Sequence, residues 1–209
     1  MNVIVLPGLD GTGDLLVPFA NVSGARIVSY PPDRELTFDE YVALAAREVD
    51  RDTILVAESF SGPVAVRIAA GKEVRALVLV SSFVTPPLPR LLRALPLATL
   101  ARIQAPDWLL SYWMLSPYAT KESVRAFREA IGRVEPRVLA SRMRIALSVD
   151  ERETLKRITA PVLNLRGTRD RLVFTRPPAG ELVRIEGPHA LLYTQPLPAW
   201  NTIARRLAG

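Results

Sequence analysis

Three residues that together can activate a hydroxyl nucleophile lie far apart in this chain. Ser59 lies in AESFSGP, Asp170 in RGTRDRLV, and His189, the single histidine, in EGPHALL. A serine hydroxyl is a weak nucleophile until a base removes its proton, which neutral imidazole can do near neutral pH. A carboxylate orients the imidazole and stabilises the imidazolium that forms. These residue types therefore predict nucleophilic catalysis by Ser59, with His189 as the base and Asp170 as the acid.

The residues around Ser59 are compatible with a sharp turn from strand to helix. A turn that presents a nucleophile in this way needs small residues two positions before and two after it, because larger side chains would collide. Ala57 and Ser61 occupy these positions, where glycine is usual. These flanks do not separate a catalytic turn from a polar loop, so the prediction depends on Asp170 and His189.

The elements that must position these residues alternate between strand and helix. Apolar runs predict strands at NVIVLPG, ARIVSYPP, TILVAE, VRALVLVSS, APVLNLRG and GELVRIEG. Helical spacing predicts helices at LTFDEYVALAAREV, at GPVAVRIAAG and around Trp200 to Leu207, and Thr37 with Glu40 can form a capping box. The alternation predicts an α/β fold with a doubly wound, mainly parallel sheet of about six strands and helices on both faces.

Each candidate catalytic residue follows a different predicted strand. Ser59 follows the third strand, Asp170 the fifth and His189 the last. Ligands of open parallel sheets bind outside the carboxyl ends of the strands, so we expect these residues to meet there. Asp150, near the end of the helical region, is a weaker alternative for the acid.

The stretch LPGLDGTG after the first strand predicts an oxyanion hole. Its glycine-rich turn can direct backbone N–H groups at a developing negative charge, and the amides of Leu9 and Phe60 are the natural pair. It lacks the Gly-Lys-Ser/Thr ending and the glycine spacing of nucleotide-binding loops. With one histidine and no cysteine, the chain offers no thiolate or metal-binding motif, so no metal or other cofactor is expected.

Residues 86–147, called the helical insert below, interrupt the alternation with short helices separated by prolines. The insert contains ten basic and four acidic residues, so the whole net charge of +6 lies there and predicts a positive face. Its stretch DWLLSYWML is compatible with internal packing and equally with an apolar acyl pocket. The pocket candidates are Phe83, Trp108, Tyr112 and Trp113.

In these motifs and their order the chain resembles the α/β-hydrolases, with AESFSG as the nucleophile turn, GTRDRLV as the acid loop and GPHALL as the histidine loop. The resemblance covers essentially the whole chain and implies a core of residues 1–85 and 148–209 with residues 86–147 as a lid. The family's first antiparallel hairpin has no counterpart. Pro7-Gly8 replaces the usual His-Gly, and Glu58 stands where histidine is common.

The resemblance implies a serine esterase that acts on carboxylic esters of small to medium acyl chains. A serine nucleophile excludes the family's aspartate-based dehalogenases and epoxide hydrolases. The basic insert is similar to the lid of the carrier-protein methyl esterases of biotin synthesis, which implies an acidic acyl carrier protein as an alternative partner. An acyltransferase, or a ligand-binding protein without catalysis, also stays open because fold alone does not decide function.

Length and composition limit the remaining classes. A chain of 209 residues with 49% hydrophobic and 23% charged residues is typical of one globular domain. The start MNVIVLPG lacks the features of a signal peptide, and no stretch has the ~18 apolar residues that a transmembrane helix needs, so we expect a cytoplasmic protein. The basic residues alternate with apolar ones and form no nucleic-acid-binding motif.

Overall fold

The computed structural model describes residues 2–87, 94–103, 105–173 and 179–207. Within these ranges six strands form one sheet in the order β2-β1-β3-β4-β5-β6, and all neighbouring strands are parallel. The strands are β1 (Asn2–Leu6), β2 (Arg26–Ile27), β3 (Thr53–Glu58), β4 (Ala76–Val80), β5 (Val162–Gly167) and β6 (Glu181–Ile185). The predicted doubly wound sheet is confirmed, and its strand order reverses between β1 and β3, where such sheets open a crevice.

Helices cover both faces of the sheet. Those outside the helical insert are α1 (Val17–Ser23), α2 (Phe38–Ala46), α3 (Ser61–Gly71), α8 (Arg152–Leu155), α9 (Leu191–Thr194) and α10 (Pro196–Leu207). A 3-10 turn (Asp14–Leu16) precedes α1. The predicted capping box begins α2: Thr37 Oγ1 accepts the Glu40 amide at 3.2 Å, and the Thr37 amide donates to the Glu40 carboxylate at 2.7 Å.

The alternation of side chains along each strand builds two apolar layers. Ile4 and Leu55 point to the face that α2 and α3 cover, where they join the cluster around Tyr41. Val5 and Val56 point to the other face, in the cluster that contains residues of α1, α9 and α10. Because both faces are covered, β1, β3 and β4 are apolar along nearly their whole length, as the sequence indicated.

The second strand is much shorter than predicted. The apolar run ARIVSY indicated a strand up to the two prolines, but the pairing with β1 covers only Arg26 and Ile27. Beyond it, the backbone turns toward the glycine-rich loop, where the Tyr30 amide donates to Gly11 O at 2.8 Å and Ser29 Oγ donates to Thr12 O at 2.7 Å. These contacts replace the sheet ladder, so this edge segment supports the loop after β1.

The helical insert lies between β4 and β5 in the chain, and its described residues contain helices and no strand. They form α4 (Leu97–Leu100), α5 (Asp107–Leu110), a π-helical turn (Ser111–Leu115), α6 (Lys121–Gly132) and α7 (Pro136–Ala146). The predicted first helix of the insert falls partly on residues 88–93, outside the described ranges. Within those ranges no helix is long and apolar enough to cross a bilayer.

Candidate active site

Ser59 occupies a strained turn between β3 and α3. Its φ of +49° lies in the left-handed region that residues other than glycine rarely adopt. The Ser59 amide donates to Val80 O at 3.0 Å, and Ser82 Oγ donates to Ser59 O at 2.7 Å. Strained backbone of this kind persists only where its surroundings hold it, and it concentrates at functional sites.

Ser61, two residues after Ser59, has side-chain contacts that the usual glycine could not make. Ser61 Oγ donates to Pro7 O and lies 2.8 Å from the Tyr30 hydroxyl, which donates to it in turn. This serine therefore connects the nucleophile turn to the loop after β1. The close approach that demands glycine lies at the next position, where a Cβ on Gly62 would collide with Ser82 Oγ.

Ser59, His189 and Asp170 form one chain of hydrogen bonds. His189 Nε2 lies 3.0 Å from Ser59 Oγ, and His189 Nδ1 lies 3.0 Å from Asp170 Oδ1. Since a carboxylate only accepts, Nδ1 carries the proton, and Nε2 is left to accept the serine proton. The His189 and Asp170 side chains are 3% and 0% exposed, so this relay is shielded from water. The structure thus brings together all three residues proposed from the sequence.

The acid loop holds Asp170 in its ionised form. Burial alone would raise the pKa of this carboxyl, but the hydrogen bond and charge of His189, with the amides of Leu172 and Val173, outweigh burial and lower the pKa below its ordinary value. Those amides donate to Asp170 Oδ1 at 2.9 and 3.2 Å. The weaker candidate, Asp150, pairs instead with Arg152 at 2.6 Å.

The glycine-rich loop after β1 lies against Ser59. A Cβ built on Gly8 would be 3.9 Å from Ser59 Cβ, so the backbone before Leu9 passes beside the turn that holds Ser59. The Gly11 amide closes this turn by donating to Gly8 O at 3.2 Å. In the described part of the chain, neither the Leu9 nor the Phe60 amide donates to a protein acceptor, so both are available to an oxyanion.

Comparison with known families decides the relationship. A sequence model of the alpha/beta hydrolase family matches residues 3–202 of this chain. The chain belongs to the alpha/beta hydrolase family. The comparison with curated proteins finds no significant match.

Solved structures share the fold of this alpha/beta hydrolase at low sequence identity. They include an enol-lactonase from Burkholderia xenovorans LB400 at 17% identity and a TM-score of 0.75, with 99% of this chain and 91% of that chain covered. A hydrolase from Pseudomonas aeruginosa has 19% identity and a TM-score of 0.76, covering 100% and 90%. A thermophilic esterase from Thermogutta terrifontis has 17% identity and a TM-score of 0.75, covering 100% and 89%.

A second carboxyl, that of Glu58, lies next to Ser59 in this hydrolase. Glu58, the last residue of β3, is buried, and its Oε1 accepts the Leu192 amide at a long 3.4 Å. Burial raises the pKa of Glu58 to about 7, while the charge of His189 lowers it and the charges of Asp10 and Asp170 raise it. Sequence reasoning left the role of Glu58 open. In the structure its carboxyl lies against the start of α9.

The pocket candidates separate into two groups. Phe83 is buried and packs with Val173 of the acid loop. Trp108 is 69% exposed and Tyr112 is 50% exposed, while Trp113 makes an edge contact with Tyr112 at 5.5 Å between ring centroids. Tyr112 also contacts the acid loop, because Arg171 Cζ lies 3.9 Å from the Tyr112 ring centroid. Phe83 is therefore the buried member of the group, and the exposed pair does not form a closed apolar wall in this structure.

Many arginines of the helical insert have partners, so the predicted positive face is weaker than the sequence count implies. Five of them form ion pairs within the described residues: Arg125–Glu129, Arg128–Asp107, Arg133–Asp14, Arg137–Glu135 and Arg144–Glu35. Arg142 is fully buried. Three of these acidic partners belong to the insert and are already subtracted in its charge of +6, so the further reduction comes from Asp14, Glu35 and the burial of Arg142. Sequence reasoning missed these two pairs between distant segments and the inward position of Arg142.

Proposed function

We propose that this protein is a serine hydrolase that cleaves carboxylic esters of small to medium acyl chains through an acyl-enzyme. The observation that carries the proposal is the continuous hydrogen-bond chain Ser59–His189–Asp170, with 3.0 Å at each step, built on a nucleophile with positive φ. Structural packing alone does not account for a strained serine aligned with a buried imidazole and carboxylate. Membership of the hydrolase family agrees with this chemistry.

In the first half-reaction, Ser59 Oγ attacks the ester carbonyl carbon while His189 Nε2 takes the hydroxyl proton. The carbonyl oxygen becomes an oxyanion that the Leu9 and Phe60 amides stabilise. The C–O bond to the alcohol then breaks, and His189 delivers the proton to the departing oxygen. Asp170 stays ionised throughout and stabilises the imidazolium.

In the second half-reaction, water attacks the acyl-enzyme carbonyl and His189 takes its proton. The second oxyanion forms at the same two amides, and its collapse returns the proton from His189 to Ser59 Oγ. The products are a carboxylic acid and an alcohol, and the enzyme returns to its starting protonation state. No redox partner or metal is needed for this balance.

The division of the chain that we propose assigns residues 1–85 and 148–209 to the catalytic core and the helical insert to a lid. Phe83, where the chain leaves β4 for the insert, packs on Val173 of the acid loop, which supports its assignment as the residue that contacts the acyl chain. A lid bordered by a few apolar side chains suits a short or medium acyl group.

Hydrolysis of p-nitrophenyl esters from C2 to C12 tests this proposal. We expect parent activity with a maximum at a short or medium chain length, and loss of that activity in Ser59→Ala and His189→Ala. Ser148→Ala, a change at an exposed serine directly after the insert, is the matched control and keeps full activity. A folded parent without activity on any ester would contradict the proposal.

The same assay separates the alternatives. Added alcohol that yields a transesterification product would indicate an acyltransferase. Selective activity on an acyl-carrier-protein ester, weakened by salt and by neutralising Lys121 and Arg125, would indicate a carrier-bound substrate. The ion pairs of the insert give that alternative less support than its net charge does. Absence of any turnover together with tight binding of an ester would indicate a binding protein.

A further inference from the structure

Arg142 in α7 is a buried cation without an acidic partner. It is 0% exposed, and no carboxylate of the described residues lies within ion-pair distance. Its guanidinium donates instead to four oxygens: Nη1 to Leu9 O at 3.1 Å and also to Asp10 O, Nη2 to Pro31 O at 2.9 Å, and Nε to Tyr41 Oη at 3.0 Å. An arginine stays charged and its burial is costly unless its donors are satisfied, so these four hydrogen bonds offset the cost of burying Arg142.

Two of the four acceptors of Arg142 lie on the proposed oxyanion loop. Leu9 and Asp10 are the central residues of the turn that the Gly11 amide closes on Gly8 O. The carbonyls of Leu9 and Asp10 both accept from the Arg142 guanidinium. These bonds fix the two peptide planes that follow the Leu9 amide. An ammonium group could not hold them in the same way, because it lacks the planar fork of donors.

The loop sequence itself is adapted to this guanidinium. Gly11 adopts a φ of +70°, and a Cβ at this position would collide with the Arg142 head group. Its carbonyl accepts the Tyr30 amide at 2.8 Å, and the Tyr30 ring centroid lies 5.9 Å from Arg142 Cζ. A glycine is therefore required both for the backbone conformation and for the space that the arginine occupies.

We propose that Arg142 is the positioning residue of the oxyanion hole, an inference that rests on the proposed esterase function. By anchoring the carbonyls of Leu9 and Asp10, it holds the Leu9 amide toward Ser59. The helical insert thereby contributes a structural part of the catalytic site from α7, in addition to any covering role. Arg142 touches no reacting atom and acts through the loop.

Arg142→Lys tests the proposal against Arg144→Lys, a matched change on the same helix at a side chain that is 56% exposed. We expect kcat on a p-nitrophenyl ester to fall about 10- to 100-fold in Arg142→Lys with KM changed less than about threefold, since the oxyanion forms only along the reaction. Arg144→Lys keeps the parent values. Equal activity of the two variants would overturn the proposal.

A thionoester distinguishes positioning from a general loss of stability. Its sulfur is larger than oxygen and a weaker acceptor, so an intact oxyanion hole favours the oxygen ester. We expect the oxygen-to-sulfur ratio of kcat/KM to fall about tenfold or more in Arg142→Lys. If that variant does not fold, Tyr41→Phe removes only the acceptor of Nε and lowers the ratio in the same direction. An unchanged ratio in a folded variant would overturn the proposal.

Hydrogen exchange gives a readout that needs no substrate. The Gly11 amide is protected by Gly8 O, and we expect it to exchange about tenfold faster in Arg142→Lys, with Arg144→Lys unchanged. Unchanged protection overturns the positioning role even if the parent hydrolyses esters. Conversely, a parent that is inactive on every ester while the exchange effect is present would contradict the esterase function alone.

Discussion

Glu58→Gln should make this protein more stable, and the gain should grow with pH. Burial raises the pKa of Glu58 from 4.5 to about 7, so the folded state binds the carboxyl proton more tightly than the unfolded state does. Its contribution to stability is therefore fully present below about pH 4.5 and is lost as pH rises through about 7. Glutamine keeps the shape of the protonated acid and does not ionise.

The size of the effect follows from the two pKa values. Each unit corresponds to about 1.4 kcal/mol, so the shift from 4.5 to about 7 amounts to about 3 kcal/mol once both states are ionised. Less than about 1 kcal/mol of this is present at pH 5, because pH 5 lies only about half a unit above the pKa of the unfolded state. The stability gain of Glu58→Gln over the parent should consequently increase by about 2 kcal/mol between pH 5 and pH 8.

Urea unfolding at pH 5, 6, 7 and 8 measures this increase directly. Glu73→Gln, which changes an exposed carboxyl, is the matched control and should show no comparable increase. Repeating the series in His189→Ala removes the imidazole, whose charge lowers the pKa of Glu58. A gain that stays constant across pH, or one that the Glu73 variant reproduces, would refute the assignment of Glu58 as a buried carboxyl with a raised pKa.

Three further changes probe the site. Asp170→Asn should lower kcat roughly 10⁴-fold in the ester assay, because an amide no longer fixes the imidazole tautomer, and the fold should be little affected. A loss of kcat below about tenfold would contradict the role of Asp170 as the acid. Gly62→Ala should lower the free energy of unfolding in urea by about 1–3 kcal/mol, because its Cβ collides with Ser82. Adding Ser82→Gly should recover part of that loss. An unchanged unfolding midpoint in Gly62→Ala would argue against the tight turn. Ser61→Ala should also lower the free energy of unfolding by about 1–3 kcal/mol, because it leaves the buried Tyr30 hydroxyl without a partner. Adding Tyr30→Phe to Ser61→Ala should lower it little further. Additive losses would show that the two hydroxyls are not coupled.

The sheet could be predicted from the sequence because its strands are buried on both faces. The strands β1, β3 and β4 are apolar runs that end at turn residues, and their order with the helices specifies a parallel sheet. The same logic failed at β2, where ARIVSY is apolar but lies at an edge. There the Val28 amide makes the last bond to β1, and from Ser29 onward the segment bonds to the glycine-rich loop instead.

The convergence of Ser59, Asp170 and His189 could also be predicted, because each follows a strand and parallel strands place their carboxyl ends together. What could not be predicted depends on contacts between distant segments. Ser61 appears in the sequence as a departure from glycine, although its hydroxyl connects two loops. Arg142 appears as one of many basic residues, and only the packing of α7 shows that it points inward.

The residue that a fluorophosphonate modifies reports directly on whether Ser59 is the nucleophile. The reagent should add one phosphonyl group per chain, and peptide mapping should locate it on Ser59, with no addition in Ser59→Ala and strongly slowed addition in His189→Ala. Addition to Ser61 or Ser82, or no addition to a folded parent, would contradict the assignment of Ser59 as a nucleophile activated by His189 and Asp170.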